Sequence, residues 1–325
     1  MIEILQASPL LTIRDLGRTG LRHLGIPQCG AMDPYALSIA NWLVGNTADQ
    51  AGLEIVTTPL SLRCHEGQWM ALTGHDYQAR KRDADGNETE LTCGFSHFIP
   101  AGSEVYFPAS QRQGGRAYLA VGGGLDVPVK LKARSTDLVN KFGGLQGRPL
   151  QRGDTLKVFT PPKPSFAMIQ RRHLGIRPWH VSRRLRAIDG VDTEHFSEPS
   201  RQSFWYHPWT ISHNLSRTGL RLDGRKLQQP PQTDRLSAGV LPGMIQVPGG
   251  DQIILLSADA QTTGGYPCIA SVIAADLWQL AYLQPGQTIT FEPVSIAEAQ
   301  GQNSAIRLYM HSLAEQLSIE DHVYQ

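Results

Sequence analysis

At 325 residues, with 18% charged side chains and a formal net charge of +1, the chain is long enough for two ordinary domains. It carries no charge excess that would draw it to nucleic acid or an anionic membrane. Its 32 glycines and 21 prolines suit short strands joined by turns rather than a helical protein. No apolar run approaches the ~20 residues of a bilayer span, and the N-terminus lacks a basic region ahead of a long apolar core. Cys29, Cys64, Cys93 and Cys268 form no CxxC pair, so a cytoplasmic chain with reduced thiols is expected.

Ile2-Glu3-Ile4-Leu5 opens as a strand, and Leu11-Thr12-Ile13 continues the sheet after a proline-containing turn. The next stretch, Arg14-Asp15-Leu16-Gly17-Arg18-Thr19-Gly20-Leu21-Arg22, is rich in arginine and glycine. Asp33-Pro34 then starts a helix: Asp33 can cap the free amides, and Pro34 sits where its missing N–H costs nothing. Leu37, Ile39, Ala40, Leu43 and Val44 give that helix an apolar face, and Gly45-Asn46 stops it. Glu54 lies inside the apolar run Gly52-Leu53-Glu54-Ile55-Val56; it reads equally as an outward strand residue or as a placed carboxylate.

From Pro59 to Val158 short strands alternate with turns, the strongest being Trp69–Gly74 and Ala117–Val121. Pro161-Pro162-Lys163-Pro164-Ser165 divides the chain, giving an N-terminal β domain over 1–160, a linker over 161–180 and a C-terminal β domain over 181–325. The arginines at 171, 172, 177, 183, 184 and 186 read as a solvated connector with one or two structural ion pairs. Strand pattern resumes to Pro293, with helical propensity over 270–283. A second helix begins after Ser295, which has capping-box spacing to Glu298. Arg18-Thr19-Gly20-Leu21-Arg22 recurs letter for letter as Arg217-Thr218-Gly219-Leu220-Arg221, which points to duplicated domains with the two copies at equivalent positions.

The strongest site candidate is Asp259-Ala260-Gln261-Thr262-Thr263-Gly264-Gly265-Tyr266-Pro267, after the strand Gln252–Leu256. A turn needs glycine but not a carboxylate, a carboxamide, two hydroxyls and a phenol together. Gly264-Gly265 allows unusual backbone angles and uncovered amides that attract an anion. Asp259, Gln261, Thr262 and Tyr266 are expected to line a concave pocket, and replacing Asp259 to cost more turnover than stability. No metal site is expected, because the eleven histidines include no HxxxH or HExxH. No GxxxxGK[ST], GxGxxG strand–helix unit or Gly-x-Ser-x-Gly elbow occurs either. Carboxylate, guanidinium, hydroxyl and backbone amide remain, an inventory suited to gripping an anionic or amide-bearing substrate.

Gln261-Thr262-Thr263-Gly264-Gly265-Tyr266-Pro267, preceded by Gly243-Met244-Ile245-Gln246-Val247-Pro248, resembles the signature of the bacterial 5-oxoprolinase C-subunit family, also described as allophanate hydrolase subunit 2-like, Kip-antagonist-like or biotin-dependent carboxyltransferase-like. Asp15-x-Gly17-Arg18-x-Gly20, Gly30-Ala31-Met32-Asp33 and Ala40-Asn41-x-Leu43-Val44-Gly45-Asn46 resemble its N-terminal signature. The resemblance implies a mainly β chain with a few short helices, built as two cyclophilin-like β-barrel domains. It implies the 5-oxoprolinase A and B subunits as partners, and ATP-driven opening of 5-oxo-L-proline to L-glutamate, with ATP used by the complex. Alternatives within the family are a carboxyltransferase served by a biotin carrier in trans and a non-catalytic regulator that binds a kinase-inhibiting partner. No Ala-Met-Lys-Met motif occurs, so no covalent biotin is expected on this chain. Arg18, Arg217, Gln261, Thr262, Thr263, Gly264, Gly265 and Tyr266 become the candidate substrate or anion binders, and Asp259 or Asp15 the catalytic carboxylates.

Overall fold

The computed structural model describes residues 1–109, 114–160, 180–228, 236–249, 252–317 and 323–324. The chain is mostly β and divides into two compact units. The first comprises 1–18, 29–179 and 308–325, and the second 19–28 and 180–307. Two short segments are therefore exchanged relative to a simple cut into halves. The expected linker over 161–180 lies, apart from its last residue, outside the described residues, as do the arginines at 171, 172 and 177.

In the first unit a seven-stranded sheet runs Leu125–Asp126, Thr155–Val158, Ile2–Gln6, Leu60–Cys64, Glu104–Phe107, Arg80–Arg82, Glu88–Glu90. A five-stranded sheet runs Thr12–Arg14, Gly52–Ile55, Ala117–Val121, Gln68–Gly74, Ser96–Ile99. Ile4, Ile13, Leu53, Leu62, Leu72, Leu119 and Val105 share one buried core. All five residues of Ala117–Val121 are buried, because both faces are covered. Ala117, Leu119 and Val121 point into that core, while Tyr118 and Ala120 pack under the helix Pro34–Leu43. That helix starts as the sequence indicates, with the Asp33 carboxylate accepting from the Ala36 amide at 2.9 Å. Its outer flank, with Trp42 fully buried, is closed by Met310, Leu313, Leu317 and Tyr324 of the same unit.

Among the described residues of the second unit, seven strands close a barrel in the order Arg184–Asp189, Cys268–Val272, Met244–Gln246, Gln252–Leu256, Gly219–Asp223, Trp209–Leu215, Thr288–Pro293. Its core comes from period-two alternation: Leu185 and Ala187, Leu220 and Leu222, Ile289 and Phe291 are buried while their neighbours face outward. The helix Glu198–Tyr206 adds Phe204, stacked 4.9 Å from Phe291. Arg184 and Arg186 make the expected ion pairs, with Glu292 at 3.0 Å and Asp276 at 2.6 Å.

Two local expectations change, and the reading left open for Glu54 is decided. Helix was expected over 270–283, but Cys268–Val272 is a barrel strand and Ala274–Ala281 a run of 3-10 turns. Pairing of Ala270 with both Ile245 and Asp189 closes the barrel there and overrides local propensity. The two Arg-Thr-Gly-Leu-Arg copies do not occupy equivalent elements. Gly20 sits in a turn with φ +76°, before the 3-10 turn Arg22–Leu24. Gly219 instead begins a barrel strand, where an added Cβ would lie 3.0 Å from Ile254 Cγ2. The same letters satisfy two different steric demands, so the repeat carries no evidence of duplication. Glu54 is fully buried rather than outward. The long helix Ile296–Gln316 does begin at the Ser295–Glu298 capping box, with Ser295 N to Glu298 Oε2 at 2.7 Å and Glu298 N to Ser295 Oγ at 3.2 Å.

Candidate functional site

In the second unit the barrel strand Gln252–Leu256 delivers the 259–267 loop. At its root the Ser257 amide donates to the Thr218 carbonyl at 3.0 Å and the Asp259 amide to the Arg217 carbonyl at 2.9 Å. The side chains repeat the link. Arg217 Nε donates to Asp259 Oδ2 and Nη2 to Oδ1, both at 2.8 Å, a two-point fork on a carboxylate only 7% exposed. Ala260 then turns into a small apolar cluster with Val240 and Leu256. Thr263–Gly264 pairs with Ala238–Gly239 as a two-stranded ribbon, joined by the Val240 amide to the Thr262 carbonyl at 3.0 Å.

A second arginine holds the same loop. Arg22, in the 19–28 segment of this unit, donates Nη2 to the carbonyls of Val240 at 2.6 Å and Gln261 at 2.7 Å. Its Nη1 reaches the Ala260 carbonyl at 3.3 Å. One guanidinium therefore ties both sides of the ribbon. What this scaffold presents to solvent is Gln261, Thr263, Gly265 and the half-exposed Tyr266, with Thr262 and Gly264 partly covered.

The loop departs from the expected pocket in two respects. Gln261 and Tyr266 form an exposed rim while Asp259 turns inward onto Arg217. Neither Gly264 nor Gly265 takes a left-handed backbone conformation. Gly264 is small because an added Cβ would come within 2.8 Å of Gln246 Nε2 and 3.3 Å of Val240 Cγ1. With both oxygens in the fork, Asp259 can take a ligand's proton only after the pair opens.

The first unit places Asp15 and Arg18 differently. Asp15 Oδ1 accepts from the Gly17 amide at 2.8 Å and from Ser135 Oγ at 2.6 Å, while Oδ2 accepts from the Arg134 amide. Arg18 is fully buried. Its Nη2 donates to the Ser135 carbonyl at 2.7 Å, and its guanidinium lies 4.4 Å over the Phe142 ring. Its Nε and Nη1 meet no acceptor among the described residues. The candidate residues thus fall into two groups: Asp15 with Arg18 in the first unit, and Arg217, Asp259 and the 261–266 rim in the second.

One feature escapes the sequence, and one reading that it leaves open is decided. Arg22 was grouped with its neighbours, and nothing local reveals a partner 238 residues away. Glu54 belongs to a buried network, its Oε2 accepting from the Met32 amide at 3.0 Å and from the Tyr118 hydroxyl at 3.1 Å. Arg116 Nε approaches Oε1 at 3.4 Å, and the Asp33 amide donates to the Tyr118 oxygen at 2.8 Å. Burial first, then the Glu54 charge, holds the Tyr118 phenol well above its ordinary range. The available signal was a carboxylate in a strand of apolar residues. No group of three or more His, Cys, Asp or Glu able to hold a metal occurs among the described residues. No helix there is long and apolar enough to cross a membrane.

Residues 24–293 match the family model described as carboxyltransferase domain, subdomain A and B. The chain is 39% identical over 321 residues to the C subunit of 5-oxoprolinase from Escherichia coli K12, covering 99% of this chain and 100% of that one. It is 36% identical over 313 residues to the Haemophilus influenzae protein of the same name, covering 96% and 97%. Among solved structures it is similar to the Kluyveromyces lactis urea carboxylase, with a TM-score of 0.84 at 26% identity. That match covers 96% of this chain and 29% of the larger enzyme.

Proposed function

The chain belongs to the 5-oxoprolinase C-subunit family, which shares the carboxyltransferase A/B domain, and from that premise we propose that it is the C component of a cytoplasmic, ATP-dependent 5-oxoprolinase. With the A and B subunits as partners it opens 5-oxo-L-proline to L-glutamate, releasing ADP and phosphate. The observation that carries this reading is the end-to-end match at 39% identity to a protein of that name, against 26% to one domain-length part of a urea carboxylase.

The chemistry asks for what the exposed rim offers. A lactam resists water because amide resonance stabilises it. Transfer of the ATP γ-phosphoryl group to the lactam oxygen activates that carbon. Water adds to it, and the C–N bond breaks with the ring nitrogen leaving as the protonated amine to give an acyl phosphate. A second water hydrolyses the acyl phosphate to glutamate and phosphate. Gln261, Thr262 and Thr263 supply uncharged donors for the anionic oxygens, with the Arg217 cation behind them in its fork on Asp259. Asp259, once its fork with Arg217 opens, is the carboxylate this loop offers to orient a water or a partner's base. Nucleotide is assigned to the complex rather than to this chain. A reactive phosphorylated intermediate must be shielded from bulk water, and an interface between subunits is one way to do so. Exposed Leu236, Leu241 and Tyr266, within two residues of the ribbon of the second unit, are the uncharged surface such a partner would cover.

A second reading, carboxyl transfer from a biotin carrier supplied in trans, is favoured by the family model's description and the urea carboxylase likeness. One assay separates the two. In a mixture of this chain with the A and B subunits, the 5-oxoprolinase reading expects phosphate and glutamate in equal amounts, both insensitive to avidin. Avidin-sensitive turnover that requires bicarbonate selects the carboxyltransferase instead.

A further inference from the structure

We propose that Arg22 is a positioning residue for the 259–267 loop: its guanidinium, fastened to the carbonyls of Val240, Ala260 and Gln261, holds the exposed rim in the geometry needed for turnover. The kinetic part rests on the 5-oxoprolinase reading; the structural part does not.

Two arginines fasten the loop, and they act on different parts of it. The Arg217–Asp259 fork secures the root, where the chain leaves the barrel strand. Beyond residue 260 that fork has no further reach. The rim is tied at its far end by the Val247 amide on the Pro267 carbonyl at 2.9 Å and Gln246 Nε2 on the Tyr266 carbonyl at 3.4 Å. Between these ends it is carried by a ribbon of two paired residues on each side, too short to be rigid by itself. Arg22 closes that gap. Val240 follows one ribbon strand, and Ala260 and Gln261 precede the other. Bridging them with one planar group fixes the spacing of the strands just below the exposed side chains. The charge suits the task, because a cation on several carbonyls makes stronger hydrogen bonds than a neutral donor would. Lysine cannot substitute, since one ammonium on a flexible stem does not present a planar fork to three carbonyls. Arg22 touches no rim side chain through these bonds, so its effect passes through the backbone. A displacement of about 1 Å in a reacting group can cost on the order of 10²-fold in rate.

Two measurements on full-length protein test the assignment. In hydrogen exchange, Arg22→Ala is expected to speed exchange of amides 259–267 at least about tenfold, with the barrel strands Gly219–Asp223 and Thr288–Pro293 unchanged. In the complex with the A and B subunits, kcat for 5-oxoproline is expected to fall on the order of 10²-fold, with smaller changes in KM and in partner affinity. Arg22→Lys should behave like Arg22→Ala, whereas added guanidinium chloride at millimolar concentration should partly restore Arg22→Ala. If Arg22→Ala does not fold, Arg22→Lys carries both measurements with the same expectations. A loosened loop with unchanged kcat overturns the proposal, and so does unchanged exchange in 259–267. Weaker partner binding at unchanged kcat overturns it too, assigning the loop to docking. Absence of turnover with the native chain instead counts against the 5-oxoprolinase reading, while the exchange result still decides whether Arg22 holds the loop.

Discussion

Two aspartate–arginine sets, Asp15 with Arg18 in the first unit and Asp259 with Arg217 in the second, use the same residue types beside the same pentapeptide and are wired in opposite ways. In the second unit the two charges meet in a fork and neutralise each other. In the first, the carboxylate is spent on the Gly17 and Arg134 amides and the Ser135 hydroxyl. The arginine there is left with one carbonyl and an aromatic face. Identical letters therefore predict neither identical partners nor identical energetics. What decides is whether the backbone brings carboxylate and guanidinium to the same point.

The largest expected effect follows from breaking the fork. Arg217→Met leaves a carboxylate 7% exposed without its counter-charge and should cost about 3–5 kcal/mol in chemical denaturation. Asp259→Ala should be comparably destabilising, contrary to the expectation that a loop carboxylate matters little for folding. A loss below about 1 kcal/mol for either would show that the fork is not formed in solution. Asp15→Ala comes next: it strands three donors and should cost about 1–3 kcal/mol. Arg18→Met should change stability by about 1 kcal/mol or less. It forfeits one charged hydrogen bond but also removes two buried N–H groups that lack acceptors among the described residues. If Arg18→Met proved as costly as Arg217→Met, the contrast between the two sets would fail.

Glycines sharpen the same contrast. Gly143, beside Arg18, has φ +70°, and an added Cβ would run into the Ser135 carbonyl and lie 2.5 Å from Arg18 Nη2. Gly143→Ala should cost at least about 2 kcal/mol by melting or denaturant titration. Gly265, on the other loop, meets nothing nearer than Ser237 Oγ at 3.7 Å, and Gly265→Ala should stay within about 0.5 kcal/mol. The smallest effect concerns the thiols. Burial pushes Cys64 and Cys93 up to about 12. A raised thiol pKa keeps the protonated form across neutral pH, so neither should react appreciably with iodoacetamide at pH 8 until the chain is unfolded. Rapid labelling of Cys64, which is fully buried, in the native protein would contradict that burial.

Much of this was legible from local signals. The cap at Asp33, the apolar face of the Pro34–Leu43 helix and the strand at Gln252–Leu256 follow from features within a dozen residues. So did the unusual polarity of the 259–267 loop. Barrel closure was not legible, because it depends on which distant strands meet. The 270–283 region has helical propensity and still supplies the strand that pairs with both Arg184–Asp189 and Met244–Gln246. Assignment of residues 19–28 to the second unit and 308–325 to the first is equally non-local. Arg22 shows the consequence at the site. Its sequence neighbourhood made it one more basic residue in a loop, and only the fold placed it on the Gln261 carbonyl.

The central claim, that this chain is one necessary part of a divided 5-oxoprolinase, is tested most directly by omission. Phosphate release that depends on 5-oxoproline is measured for the chain alone, for the A and B subunits together, and for all three. Background rates are predicted in the first two and robust release, matched by glutamate, in the third. Robust turnover by the chain alone, or full activity of A and B without it, would contradict the claim.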